Sequence, residues 1–370
     1  MMVHHAHSER ASAYARSKYR LIIIEMIWSL AFLWIATGPT LAFTRHPSVQ
    51  VLNPWILVGV YGAVLAITYS VASLPLAWYG GYHLERRFGL STQTVGQWAA
   101  RELKKGLVGL AIFLLLLEGL YAILRHDPQR WWWWATIGWV GFSVVLTRVT
   151  PTLLVPLFYT CQPVADETLT QRLMALVRRA GLSAMGVFQI DFSRETTKAN
   201  AALVGLGKTR RVLVADTMLR AYAPEEIEAV LAHELGHHRH HHIAQLLCFS
   251  AVASLAGFLL LHGWLPRQLA SRAITGLDDV AGFPLFAFWL SVLSLILMPI
   301  QHGFSRRLER QADRFSLELT RQPQAFISMM RKLAAQNLAD PHPPRWIEWW
   351  FYDHPAVPRR IAFAERWQPA

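Results

Sequence analysis

The run "VLAHELGHHRHHH", Val230 to His242, sets one glutamate between two histidines four residues apart. On a helix, positions i and i+4 share a face one turn apart, so His233 and His237 can direct imidazole nitrogens at a single ion. Glu234 is turned about 100° from His233 at 3.6 residues per turn, which puts it beside such an ion without ligating it. There it could take a proton from a water. His-Glu-x-x-His on a helix therefore points to metal-assisted hydrolysis with Glu234 as general base. Five letters alone are a modest signal, and the chemistry needs a third ligand. "SRRLERQAD" offers Glu309, with Asp313 at i+4 on the same helical face. Two imidazoles and a carboxylate suit one Zn²⁺ per chain with a fourth position open, and Asp313 could orient a ligand histidine from behind.

The remaining histidines call for plainer readings. His240 lies seven residues from His233, about 10 Å along a helix axis, too far to share its ion. His238, His240, His241 and His242 are expected to form a polar collar where the helix enters lipid. His4, His5 and His7 are expected to be solvent-exposed and without a catalytic part.

The elements that hold these groups are dictated by composition. Of 370 residues, 53% are hydrophobic and only 16% charged, outside the usual range of a soluble domain. Six apolar runs are long enough to cross a hydrocarbon core about 30 Å thick. They are Leu21 to Phe43, Trp55 to Tyr79, Gly106 to Leu124, Trp131 to Val149, Ile243 to Leu265 and Ala281 to Ile300. The first is too long to read as a removed signal peptide. The expected organisation is a segment at 1–20, a four-span membrane domain at 21–158, and a metallopeptidase domain at 159–370 that contains the last two spans.

A net charge of +12 raises the question of nucleic acid. Its distribution answers differently: Arg10, Arg16, Lys18 and Arg20 precede the first run, and Arg86, Arg87, Arg101, Lys104 and Lys105 lie between the second and third. That alternation is the positive-inside pattern, with both termini and the polar region 159–242 on the cytoplasmic side and no nucleic acid as partner. Two cysteines, Cys161 and Cys248, make no disulfide framework. Glu25, Glu118 and Arg148 are costly in lipid and are expected to face protein or water; Glu118 and Arg148 are candidates to pair, and Arg148 can also snorkel.

The midpoint of His233 and His237 lies eight residues before the fifth span, and Glu309 nine residues after the sixth. If both helices run unbroken, these are roughly 12 and 13 Å beyond the apolar boundary, on the same side. In the polar region, Leu169, Leu173, Leu176 and Val177 mark a short amphipathic helix ending at Gly181. "GVFQIDF" and "RRVLVADTML" read as strands, with "NAALVGLGKTRR" as a glycine-bearing connection, giving two or three strands beside the helix.

With these motifs in hand, the chain resembles the integral-membrane CAAX prenyl proteases of type I, the a-factor-converting enzyme type, with HtpX heat-shock proteases as shorter relatives. The resemblance rests on "LPLAWYGGYHLERRFGLSTQT", "PLFYTCQPV", "KANAALVGLGKTRRVLVADTML", "VLAHELGHH", "SRRLERQAD", "NLADPHP" and "YDHPAVPRRI" in that order. It implies a mainly α, polytopic membrane fold of about six spans around a chamber, carrying a gluzincin-type α+β protease domain. It implies that His233, His237 and Glu309 bind zinc and that Glu234 is the base. By the same likeness, Asn200 and Ala201 line an edge strand for substrate, His354 stabilises the oxyanion and Arg360 supports the site. The implied substrate is a peptide or protein, prenylated at a C-terminal CAAX sequence, met at a lipid membrane. The family's usual His-Pro-Ser reads His354, Pro355, Ala356 here, and its eukaryotic members have a seventh span. Three alternatives stay open on the residues alone: quality control of membrane proteins, a zinc-stabilised scaffold without catalysis, and a metal transporter. Retention of Glu234, which zinc binding does not need, speaks against the scaffold; His262, near the outer end of the fifth span, is the one histidine placed within a span, which speaks against the transporter.

Overall fold

In the computed structural model, which describes residues 2–205, 207 and 210–368, the chain is mostly helical and six helices are long and apolar enough to cross a membrane. The membrane helices enclose a chamber. The first four are α1 (Met2–Thr44), α2 (Pro54–Trp78), α3 (Val95–His126) and α4 (Trp131–Val149). Their starts are built from local chemistry. Asn53 accepts the Trp55 N–H at the head of α2, where Pro54 gives up no useful donor. Thr94 and Gln97 form a reciprocal capping box at the head of α3. The side chains of His4, His5 and His7 lie outside the described residues, although their backbone belongs to α1.

A four-stranded sheet follows in the order β1 (Cys161–Pro163), β2 (Val187–Ile190), β4 (Arg211–Ala215), β3 (Ala201–Val204). β2 and β4 run parallel; the two outer pairings are antiparallel. Residue pattern predicts β2 and β4 but gives the stretch around 200–204 as a connection; only the family likeness puts an edge strand at Asn200 and Ala201. Its strand character comes from pairing with β4, in the register Ala201 to Val214 through Val204 to Arg211, rather than from its own small side chains. Leu206, Lys208 and Thr209 of that connection lie outside the described residues.

Between β1 and β2, α5 (Glu167–Arg179) starts on Asp166, which accepts the Leu169 N–H, and its stripe Leu169, Leu173, Leu176, Val177 is buried as the spacing requires. Gly181, at φ +72°, takes the left-handed turn that ends it. After β4, α6 (Pro224–Arg239) opens with Pro224 and an acidic first turn, and Glu226 reaches back to the Ala223 N–H at 2.7 Å. One side of α6 packs Ile227, Val230, Leu231 and Leu235 into the core shared with α5 and the sheet.

The expectation of an unbroken helix from the histidines into the fifth span is corrected here. α6 stops at Arg239, His241 sits at φ +56°, and α7 (His242–Ala270) begins afresh. α8 (Phe283–Thr320), by contrast, runs 38 residues in one piece, with Pro299 inside it. Three short helices, α9 (Pro323–Gln336), α10 (Arg345–Phe351) and α11 (Val357–Glu365), close the chain over α8.

At the far end of the spans, Trp131, Tyr61, Tyr121, Leu261 and Leu285 form an aromatic-rich core, and Arg45 at the end of α1 meets Asp279 at 2.6 Å. On the protease side, Glu85 meets three groups from two segments: Lys18 at 2.9 Å and the Tyr14 hydroxyl, both of α1, and Lys198 ahead of β3 at 2.8 Å. Glu25 lines a cavity of about 310 Å³ with Trp28, Ser29, Tyr69 and Ser73. Glu118 and Arg148 do not pair among the described residues; one carboxylate oxygen of Glu118 is buried without a partner.

Candidate active site

α6 and α8 cross at the site, and a glycine permits it. A Cβ on Gly236 would stand 3.0 Å from the Ala312 Cα and 3.2 Å from the Phe315 Cβ, closer than ordinary contact. Gly236 lies one turn beyond His233, and Ala312 one turn beyond Glu309, so this backbone contact sets the spacing between the two functional faces. His233 Nε2 is 3.3 Å from Glu309 Oε2, and His237 Nε2 is 3.2 Å from Glu309 Oε1. The two Nε2 atoms are 3.1 Å apart. One ligand atom from each of the three residues falls within 4.8 Å of the others.

The hydrogen bonds behind these atoms decide where their lone pairs point. Asp313 Oδ1 lies 2.9 Å from His233 Nδ1, so Nδ1 carries the proton and Nε2 offers its lone pair to the cluster. Arg360 from α11 grips the other side of the Asp313 carboxylate, with Nε 2.9 Å from Oδ2. Behind His237 stands His242, with its Nδ1 3.0 Å from His237 Nδ1. His242 Nε2 is 3.1 Å from Gln311 Oε1, an acceptor, so Nε2 is protonated and His242 Nδ1 accepts from His237. His237 Nε2 is thereby left as a lone pair facing Glu309. Glu309 Oε2 is buried without a hydrogen-bond donor, which a cation would satisfy. Two imidazole lone pairs, a carboxylate and an unpartnered buried oxygen fit a divalent metal.

Burial alone would lower the pKa of His233, but the neighbouring Asp313 and Glu309 carboxylates outweigh it and bring it up to about 9. His354, half exposed, places Nε2 3.3 Å from Glu309 Oε2, and its Nδ1 is 2.7 Å from Asp353. Burial works to lower its pKa; Asp353 and Glu309 raise it above the usual histidine value. That favours an N–H donor at the cluster. Glu234 is half-buried beside His233 and makes no hydrogen bond among the described residues.

Asn200 and Ala201 sit at the start of β3, which is an edge of the sheet. The Asn200 carbonyl faces inward, accepting from the Ala215 N–H at 2.9 Å, so of the two only Ala201 turns its peptide groups outward. Both line a small apolar cavity with Tyr159, Phe192 and Leu213.

Of the four histidines expected in a polar collar, His240 and His241 are exposed and the other two are not. His238 and His242 are buried, at 7% and 1% exposure, and both are bonded inside the protein. His238 Nε2 donates to the Leu203 carbonyl at 2.9 Å and its Nδ1 accepts from Arg210 at 3.2 Å. Burial in particular lowers its pKa, with the Arg210 charge adding to that, which keeps it neutral. Gln311 and Asn337 were not singled out in the sequence, and His242 only as part of the collar.

Residues 163–368 match the model of peptidase family M48, and residues 2–160 that of the CAAX prenyl protease N-terminal region, five membrane helices. The chain belongs to peptidase family M48 and is an integral-membrane metallopeptidase of the CAAX protease type. Among its relatives, the uncharacterized metalloprotease YhfN of Bacillus subtilis is 27% identical over 96% of this chain and 85% of its own length. CAAX prenyl protease 1 of Saccharomyces cerevisiae is 25% identical over 80% of this chain and 70% of its own. The crystal structure of S. mikatae Ste24p superposes with a TM-score of 0.86 at 23% identity, covering 98% of this chain and 89% of that one.

Proposed function

We propose that this metallopeptidase is a zinc enzyme that cuts peptides near a prenylated C-terminus at the cytoplasmic face of a membrane. The observation that carries the reading is the meeting of His233, His237 and Glu309 beside Glu234, where α6 crosses the long apolar helix α8. The names of the yeast and human relatives support the CAAX substrate. The basic residues before α1 and between α2 and α3 support cytoplasmic sidedness.

A zinc ion held by His233, His237 and Glu309 supplies Lewis acidity, which acidifies water and polarises a carbonyl. Asp313 and His242 hold the two imidazoles in the tautomers that aim lone pairs inward. Glu234, without a hydrogen bond among the described residues, takes the proton of the attacking water and returns it to the leaving amine. His354, biased toward its protonated form by Asp353, donates to the oxygen that gains charge. Arg360 keeps Asp313 ionised and fixed. The substrate backbone adds to the outward edge of β3 at Ala201.

The test is cleavage of a farnesylated CAAX peptide and its unprenylated twin by purified wild type and Glu234→Gln. Wild type should prefer the farnesylated peptide, and Glu234→Gln should lose about 10²-fold or more while keeping its metal. Equal cleavage of both peptides removes the prenyl assignment; equal activity of both proteins removes the mechanism.

A further inference from the structure

The phase of the β3 ladder determines which peptide groups a substrate can reach. Hydrogen-bonded and non-hydrogen-bonded pairs alternate along an antiparallel ladder. Because the Ala215 N–H bonds to the Asn200 carbonyl, residues 200, 202 and 204 turn their peptide groups toward β4. Residues 199, 201 and 203 turn theirs to the open edge. The Thr217 hydroxyl bonding to the carbonyl of Lys198 on the inner side agrees with this phase.

The open edge is occupied at both ends. Asn337 accepts the Ala199 N–H at 3.0 Å and donates to the Ala199 carbonyl at 3.3 Å, so its side-chain amide imitates a residue of a neighbouring strand. His238 donates to the Leu203 carbonyl at 2.9 Å and is held there by Arg210. Among the described residues, the groups left unpartnered are the Ala201 N–H, the Ala201 carbonyl and the Leu203 N–H. In either strand direction, these three reach over three consecutive substrate residues.

We infer that Asn337 and His238 are end stops on the substrate-binding edge, confining backbone pairing to a three-residue window and fixing the register of the peptide. They are specificity-determining positioning residues. The inference rests on the protease reading above and on strand addition to β3 within it. The window contains one acceptor, the Ala201 carbonyl, so one substrate N–H is bonded and the others are not.

That count can be read directly with peptides N-methylated one residue at a time, leaving the scissile amide untouched, and assayed for kcat/KM with the zinc-loaded, full-length protein. Wild type should show one sensitive position, with a loss of about tenfold, the order of one hydrogen bond. His238→Ala frees the Leu203 carbonyl and should add a second sensitive position two residues away. Asn337→Ala should add one two residues away on the other side. His238→Gln, whose amide can still donate to Leu203, should restore the single position. The wild-type scan stands by itself if a variant fails to fold. Several sensitive positions at a spacing of two in wild type, none at all, or a pattern unchanged in both alanine variants overturns the inference. These outcomes leave intact a protease that Glu234→Gln inactivates, whereas failure to cleave any unmodified peptide counts against the protease reading itself.

Discussion

Gly236→Ala is the sharpest probe of how the helices make the site. The added Cβ would stand 3.0 Å from the Ala312 Cα and 3.3 Å from the Ala312 carbonyl oxygen, and backbone atoms two turns inside the end of a 38-residue helix cannot rotate away. Restoring the 3.4 Å of ordinary contact moves α8 from α6 by about 0.4 Å. Glu309 is one turn from Ala312 and His233 one turn from Gly236, so the shift passes to the ligands nearly undiminished. Metal–ligand distances tolerate about 0.2 Å. The expected result is an overpacking cost of about 1–3 kcal/mol in stability. A fall in zinc affinity on the order of 10- to 100-fold, the scale of a misplaced ligand set, should accompany it. Thermal unfolding in detergent reads the first, and competition with chelators of graded strength reads the second. A Gly236→Ala protein that binds zinc within about threefold of wild type would show that the contact does not gauge the site.

Two further outcomes follow from the bonds around the cluster. His242→Ala removes the acceptor behind His237 and should weaken zinc binding about 10- to 100-fold, measured by the same chelator competition; unchanged affinity would leave His242 without an orienting part. Glu226 gives a pH dependence. Burial acts to raise its pKa, but the Lys332 ammonium, the Ser328 hydroxyl and the Ala223 N–H outweigh burial and hold it below the usual range. Its contribution is therefore complete above the unfolded value of about 4.3 and is lost as pH falls through the lower folded value. Wild type should lose more stability than Glu226→Gln on acidification below about pH 4.3, and parallel curves would refute the linkage.

How much of this was legible depended on whether the information is local. The facing of His233 and His237 is periodicity alone, and so is the buried stripe of α5. Glu309 and Asp313 could be picked out because a Glu-x-x-x-Asp face after an apolar run has few other uses. β3 was hidden from residue pattern, though not from the family likeness, because Ala201–Val204 is a strand by virtue of its neighbour β4. β1 is three residues with a proline, tolerated only at a sheet edge. His242 shows the limit most clearly. On an unbroken helix it would be turned about 140° from His237 and could not reach it. The left-handed turn at His241, a position where glycine is the usual sign, reverses that and carries the imidazole back.

The uninterrupted run of α8 makes it a lever. Pro299 removes one backbone bond where the helix lies among the spans, and Glu309 is ten residues further on, about 15 Å by helical rise. A bend of about 2° at Pro299 displaces Glu309 by about 0.5 Å, more than a metal site tolerates. Whatever tilts the membrane half of this helix, through the thickness or lateral pressure of the lipid around it, is thus expressed as a change in ligand spacing. The bilayer is in that sense a mechanical component of the catalytic centre, and the seat of Gly236 on Ala312 is the bearing that keeps its fluctuations out.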